Sequence, residues 1–284
     1  MPDHTITPQD YQNFRVFLEQ ACGIVLGEHK HYLVSSRLRH LLSEYAIPSV
    51  GELIRRMENG RTAGLRERII DAMTTNETLW FRDGHPYEIF KSLILPEFAQ
   101  QRARPIRIWS AACSSGQEPY SISMAVQEFL LGRPGTLPGG VQIVATDISP
   151  SILGEAMVGI YDSTSLARGL SEERKQRFFT AKEAKPVLAS RWEVKPEFKS
   201  RVVFKELNLM KNYAVLGKFD VIFCRNVLIY FATELKVDIL SRLAQALNPG
   251  GFLLLGASES IANYSDDFAM VRYPSGVIYK LKAG

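Results

Sequence analysis

Ile106-Arg-Ile-Trp109-Ser-Ala-Ala-Cys-Ser-Ser-Gly116-Gln-Glu118-Pro-Tyr-Ser121 joins a short apolar run to a loop of small residues, and the loop to a Ser-, Ile- and Ala-rich stretch that reads as a helix. Strand, tight loop and helix in succession make the repeating unit of an α/β sheet. Four further apolar runs follow: Val141–Ala145, ending at Asp147; Val202–Phe204, ending near Asn208; Phe219–Cys224, ending at Asn226; and Phe252–Leu255, followed by Gly256. Helix-like stretches separate most of them, which predicts a mostly parallel sheet. Near the end, Met270–Tyr273 and Val277–Leu281 flank Pro274-Ser275-Gly276, the pattern of a β-hairpin. Residues 186–205 break the alternation: Val187, Leu188, Trp192, Val194, Phe198 and Val202–Phe204 show little helical period. A small antiparallel subdomain is predicted there, with an exposed strand edge around Val187 to Phe204.

The first 80 or so residues read as helices. Thr7-Pro8 is a start signal, with Thr7 as N-cap and Pro8 at the first helical position. Phe14, Phe17, Leu18 and Cys22 recur at helical spacing, and Gly23 ends the run. Leu33, Val34, Leu38, Leu41 and Leu42 share one face of a second helix, with Lys30, Arg37 and His40 on the other. Two more helices are expected over about 50–59 and 63–73.

The chain has 284 residues, 46% of them apolar, enough for a large domain and a small one. No apolar run approaches the roughly 20 residues that span a bilayer. Cys22, Cys113 and Cys224 are scattered and form no CxxC pair, which argues against a disulfide framework or a zinc site. A net charge of +4 lacks the basic stripe of a nucleic-acid binder.

Ligands of open α/β sheets bind at the carboxyl ends of the strands, so the polar residues after each apolar run are the candidates. The small residues after Trp109 let the backbone approach a ligand, although a loop kept small for packing looks the same. Its spacing is not GxGxxG, which counts against a dinucleotide and against an NAD-dependent oxidoreductase. Asp147 suits the two ribose hydroxyls of a nucleoside, or else caps the helix starting at Ser149-Pro150. Asn226 is delivered to the sheet edge with Tyr230 four residues on. Their plainer roles are a turn and core packing.

Three segments carry a resemblance: Thr74-Thr-Asn-Glu-Thr-Leu-Trp-Phe-Arg82, Trp109 to Ser121, and Phe223-Cys-Arg-Asn-Val-Leu-Ile-Tyr-Phe231. They look like the three signature blocks of the chemotaxis receptor methyltransferase family, CheR, in that family's order. An α/β sheet closed by an antiparallel hairpin also resembles the class I methyltransferase (Rossmann-like) fold. The resemblance implies an all-helical, receptor-recognising domain over 1–73 and a linker over 74–90 that contributes to the cofactor site. It implies a methyltransferase domain over 91–284, with an antiparallel β-subdomain inserted at about 184–204. The implied reaction methylates chemoreceptor glutamates from S-adenosyl-L-methionine, leaving S-adenosyl-L-homocysteine, with no metal. The implied cofactor residues are Asn76, Thr78, Arg82, Glu118, Asp147, Asn208, Leu209, Asn226 and Val227. Arg82 and Tyr230 are the expected catalytic positioners.

The implied partners are methyl-accepting chemotaxis receptors, met in the cytoplasm by a monomer, with no nucleic acid and no membrane insertion. Lys30, Arg37, Arg39 and His40 are candidate docking residues, with a solvated helix face as the plainer reading. Lys, Arg, Asp and Glu nearly cancel over residues 1–85, so any attraction is a local patch. Members that dock on a receptor's C-terminal pentapeptide tend to carry a Gly-containing loop in the insertion. Ala181 to Trp192 contains no glycine, so receptors lacking that tail are the expected substrates. An RNA methyltransferase would favour an Asn-Pro-Pro-Tyr or paired-cysteine motif, and neither occurs.

Overall fold

The Thr7 hydroxyl accepts a hydrogen bond from the Asp10 backbone N–H, Pro8 follows at the first helical position, and a helix begins. It is α1 (Pro8–Cys22), burying Tyr11, Phe14, Leu18, Ala21 and Cys22, and it stops at Gly23 with φ 78°. The structure is a computed structural model that describes residues 6–59, 64–101, 104–182 and 190–283. Then come α2 (His31–Glu44), α3 (Val50–Glu58) and α4 (Leu65–Met73). The expected start of the fourth helix at 63 lies outside the described residues. α2 buries Val34, Leu38, Leu41 and Leu42.

The chain divides into two compact units. One comprises the chain up to Thr75 together with Tyr230–Leu235; the other comprises Asn76–Ile229 and Lys236–Gly284. The helical unit takes in the 230–235 segment through contacts such as Val25 N–H donating to the Tyr230 carbonyl at 2.9 Å.

The second unit opens with α5 (His85–Ile89), a π-helical turn at Phe90–Ile94 and α6 (Leu95–Gln101). It continues through β1 (Ile106–Ala111), α7 (Gln117–Leu131), β2 (Val141–Asp147), α8 (Pro150–Val158), β3 (Ile160–Asp162), α9 (Ser163–Ala167), α10 (Glu172–Phe178) and β4 (Phe179–Lys182). After these come β5 (Arg191–Val194), α11 (Pro196–Lys199), β6 (Val202–Glu206), β7 (Phe219–Cys224), α12 (Thr233–Ala246, of which Lys236 onward belongs to this unit), β8 (Leu247–Leu255), β9 (Phe268–Tyr273) and β10 (Gly276–Leu281). Seven strands form one sheet in the order β6-β2-β1-β7-β8-β10-β9. β6, β2, β1, β7 and β8 are parallel, and β10 runs antiparallel to both β8 and β9. This is the class I methyltransferase architecture, closed by its C-terminal hairpin. Every residue of β7 is buried, as expected of a central parallel strand covered on both faces. Trp80, Tyr87, Phe90, Phe98, Phe223 and Phe252 are among the fully or nearly fully buried aromatics of its core.

The insertion differs from its sequence reading. The small sheet has the order β3-β5-β4 and draws strands from Ile160 and Phe179 onward, well before residue 186. Val202–Glu206 pairs in parallel with β2 and belongs to the large sheet. Among the described residues, β5 is the one small-sheet strand within 187–204, and it is paired on both sides, so the edges are β3 and β4. Strands of three or four residues abutting helices are too short to announce a period of two. Of the Gly-free stretch from Ala181 to Trp192, residues 183–189 lie outside the described residues.

Candidate active site

β1 lies between β2, which the chain reaches next, and β7, which it reaches after returning from the β6 edge. The sheet's switch point is therefore between β1 and β7, where a ligand of an open α/β sheet binds beyond the strands' carboxyl ends. The loop leaving β1 has Ala112 at φ 58°, Ser114 at 50° and Gly116 at 93°. A Cβ on Gly116 would sit 3.0 Å from the Tyr161 hydroxyl, and Gly116 leads directly into α7. Phe81, Asp83 and Asn226 also have positive φ, so five of the seven such non-glycine residues among those described gather at these loops and the Arg82 segment. Left-handed backbone at non-glycine residues is costly and clusters where a ligand site requires it.

Asp147 ends β2 and is 6% exposed. Its carboxylate accepts from Ser114 N–H at 2.8 Å and Ser149 N–H at 3.1 Å, which fixes the β1 loop against the end of β2. The helix-cap role belongs to Ser149, whose hydroxyl accepts from Ile152 N–H. Ser114 also donates to the Asn76 carbonyl at 2.9 Å, bringing the 76–82 segment to the same loop. Thr78 lies half-buried in that segment. After β6, Leu209 is buried and its carbonyl accepts from the Tyr213 hydroxyl and from Arg242. The Asn208 side-chain oxygen accepts from Met210 N–H at 2.9 Å.

Glu118, in the first turn of α7, keeps 12% of its side chain exposed. It accepts from the Ser110 hydroxyl at 2.8 Å and pairs with Arg225 at 3.3 Å. Burial pushes its carboxyl above the ordinary glutamate value, against the pull of Arg225. Arg225 is 1% exposed and donates also to the Asp83 carboxylate at 2.6 Å and the Arg82 carbonyl at 2.9 Å. Sequence reading missed this residue, although it lies inside a quoted block beside Asn226. Its signal is the charge itself: an arginine directly after a strand buried along its whole length needs buried carboxylates.

Arg82 is half-buried, and its guanidinium makes one hydrogen bond within the described protein, to the Glu77 carbonyl at 3.2 Å. The rest of its donor fork is open. Asn226, at φ 59°, has its side-chain oxygen buried and without a partner. Val227 beside it is half-buried. Tyr230 is half-buried and belongs to the helical unit.

The docking candidates differ among themselves. Arg37 is not an open surface cation: it donates to the Met73 and Thr74 carbonyls and to the Thr75 hydroxyl, holding the end of α4. His40 faces Glu44 at 3.6 Å. Lys30 and Arg39 are exposed.

S-adenosylmethionine fits these residues. Its ammonium and ribose hydroxyls need acceptors, and the site offers two mostly buried carboxylates and the unpartnered Asn226 oxygen. Among the described residues, no group of three His, Cys, Asp or Glu could hold a metal ion.

Such a sheet, with acidic residues after its first two strands and an open amide acceptor after the fourth, defines a methyltransferase of the class that binds an adenosyl ligand. Residues 76–277 match the CheR methyltransferase SAM-binding domain, and residues 9–74 match the CheR methyltransferase all-alpha domain. The chain is 54% identical over 274 residues to the chemotaxis protein methyltransferase Cher2 of Pseudomonas putida, covering 96% of this chain and 98% of that protein. It is 56% identical over 274 residues to chemotaxis protein methyltransferase 1 of Pseudomonas aeruginosa, with the same coverage. To the Escherichia coli chemotaxis protein methyltransferase it is 34% identical over 261 residues, 92% of this chain and 87% of that one. The chain belongs to the CheR methyltransferase family, binds S-adenosylmethionine and uses it for methylation in chemotaxis. No described helix is long and apolar enough to cross a membrane.

Proposed function

We propose that this protein methylates glutamate side chains on the cytoplasmic helical domains of chemoreceptors, forming methyl esters in chemotaxis adaptation. It acts as a monomer in the cytoplasm. The open guanidinium of Arg82 carries this reading, because its planar donor fork matches a carboxylate. Bound S-adenosylmethionine supplies an activated methyl group. A glutamate with an ordinary pKa of about 4.3 is already an anion at neutral pH, so no side chain has to remove a proton. The nearby thiols of Cys113 and Cys224 are pushed well up by burial, which disfavours a nucleophilic thiolate.

The protein's task is then positioning, an effect that supplies up to roughly 7–11 kcal/mol in well-oriented systems. Glu118 holds the cofactor's ammonium, Asp147 its ribose hydroxyls, and Asn208 and Leu209 flank the adenine. Asn76, Thr78, Asn226 and Val227 complete the pocket, while Arg82 orients the acceptor. The test is transfer of labelled methyl from S-adenosylmethionine to a purified receptor cytoplasmic domain. Wild type should label it, and Arg82→Ala should lose most turnover while staying folded. An Arg82→Ala variant with full turnover and lower thermal stability would reduce Arg82 to a structural bridge.

Receptors without a C-terminal pentapeptide are the proposed substrates, engaged through Lys30, Arg39 and His40 of the helical unit. The Gly-free stretch from Ala181 to Trp192 supports this, since left-handed turns are sterically costly without glycine. Micromolar binding of a Trp- and Phe-containing receptor tail peptide in calorimetry would overturn it.

A further inference from the structure

β7 and β8 are adjacent parallel strands, and each ends in a loop whose backbone N–H groups have left the ladder. One carboxylate collects them. The Glu259 Oε2 atom accepts from Asn226 N–H at 2.6 Å and Gly256 N–H at 2.8 Å. The Oε1 atom accepts from Leu228 N–H at 2.8 Å and, more weakly, Ile229 N–H at 3.4 Å. A carboxylate suits four converging N–H groups, because its two oxygens offer about four lone-pair sites. The loop it fixes holds Asn226 at φ 59°, a left-handed conformation that asparagine tolerates better than most side-chain-bearing residues and that the bonded backbone holds in place. Gly256 completes the junction: a Cβ there would lie 2.7 Å from the Asn226 amide nitrogen and 2.8 Å from Glu259 Oε2.

We propose that Glu259 is a positioning residue for the methyl-transfer site: by bonding the backbone of both loops, it holds Asn226 so that its buried side-chain oxygen meets a donor of the bound cofactor. This rests on Asn226 belonging to the cofactor pocket. Glu259 itself touches no reacting group.

Glu259→Gln keeps the shape but turns one acceptor into an N–H₂ donor facing backbone donors. It should weaken S-adenosylhomocysteine binding by about ten-fold or more, the scale of charge-assisted hydrogen bonds. The KM for S-adenosylmethionine should rise more than kcat falls. In a double-mutant cycle, Glu259→Gln should add little to the loss already caused by Asn226→Ala, because it acts through that residue. Gly256→Ala attacks the same junction from the other side and should mimic it; it replaces Glu259→Gln in the cycle if that variant fails to fold. Calorimetry with S-adenosylhomocysteine on the full chain, alongside thermal melts, reads the wild type, the three single variants and the double variant. Fully additive losses, or unchanged affinity in folded Glu259→Gln, would overturn the positioning role. Native affinity in Asn226→Ala would instead remove Asn226 from the cofactor pocket.

Discussion

Where β7 begins, Asp220 is completely buried and protein groups close around it: Arg104 at 2.6 Å, the Arg107 backbone N–H at 2.9 Å and the Asn248 amide at 2.8 Å. At the opposite end of the same sheet, Asp147 and Glu118 are also mostly buried. There, however, the backbone is left-handed at Ala112, Ser114 and Asn226, and the Asn226 oxygen and the Arg225 Nε are buried without partners. Burial is common to both ends and does not mark the site. Left-handed backbone together with incomplete pairing does, because a structure accepts both costs only where a ligand or a strongly determined fold offsets them.

The sharpest way to break this comparison is to remove each acid. Asp220→Ala leaves the Arg107 N–H and the Asn248 amide without their acceptor, while the partly exposed Arg104 turns to solvent, and should cost about 1–3 kcal/mol of stability, the scale of a buried donor left unsatisfied. The melting temperature should drop, while the affinity of the remaining folded protein for S-adenosylhomocysteine stays unchanged. Asp147→Ala should show the reverse emphasis. Affinity should fall by at least about ten-fold, since hydrogen bonds to a charged group contribute about 1.5–3 kcal/mol each. Calorimetry and thermal melts on both variants check the pair; an Asp147→Ala protein of native affinity would make the two ends alike.

Glu118 adds a pH test. Its carboxyl lies above the usual 4.5 because of burial, with Arg225 pulling it back. A raised value means that this group's contribution to stability is present below the ordinary glutamate range and is lost as pH rises through the raised value. In the proposed role Glu118 meets the cofactor's ammonium as an anion, so binding would run the other way. Affinity for S-adenosylhomocysteine should therefore fall with acidification before an exposed glutamate would protonate. Glu118→Gln should bind more weakly at neutral pH and lose that acid-side slope. Persistence of the slope in Glu118→Gln would assign it to another group.

The smallest effect is expected at exposed Lys30 and Arg39. Each reversal to Glu should change receptor methylation by about 1 kcal/mol or less, more at low salt than at high. Measuring KM for the receptor at two ionic strengths checks it. Equal effects at both would remove electrostatics from docking.

Much of the sheet was legible because its strands are apolar runs with polar residues at their ends. Phe219–Cys224 is read and observed with the same bounds, while β1 runs two residues past Trp109 to Ala111. What was not legible is long-range pairing. Arg225 reaches Asp83 across 142 positions, and Glu259 reaches Asn226 across 33, distances over which no periodicity operates. The small sheet failed for a different reason, its strands being three or four residues long.

The most direct measurement of the central proposal is the chemistry of the bond formed. A receptor cytoplasmic domain labelled by this enzyme should carry the methyl group on glutamate side chains. Mass spectrometry should map it there, and mild alkali should release it as methanol, because a carboxyl ester hydrolyses under conditions that an N-methyl group survives. Alkali-stable label, or label on any residue other than glutamate, would contradict it.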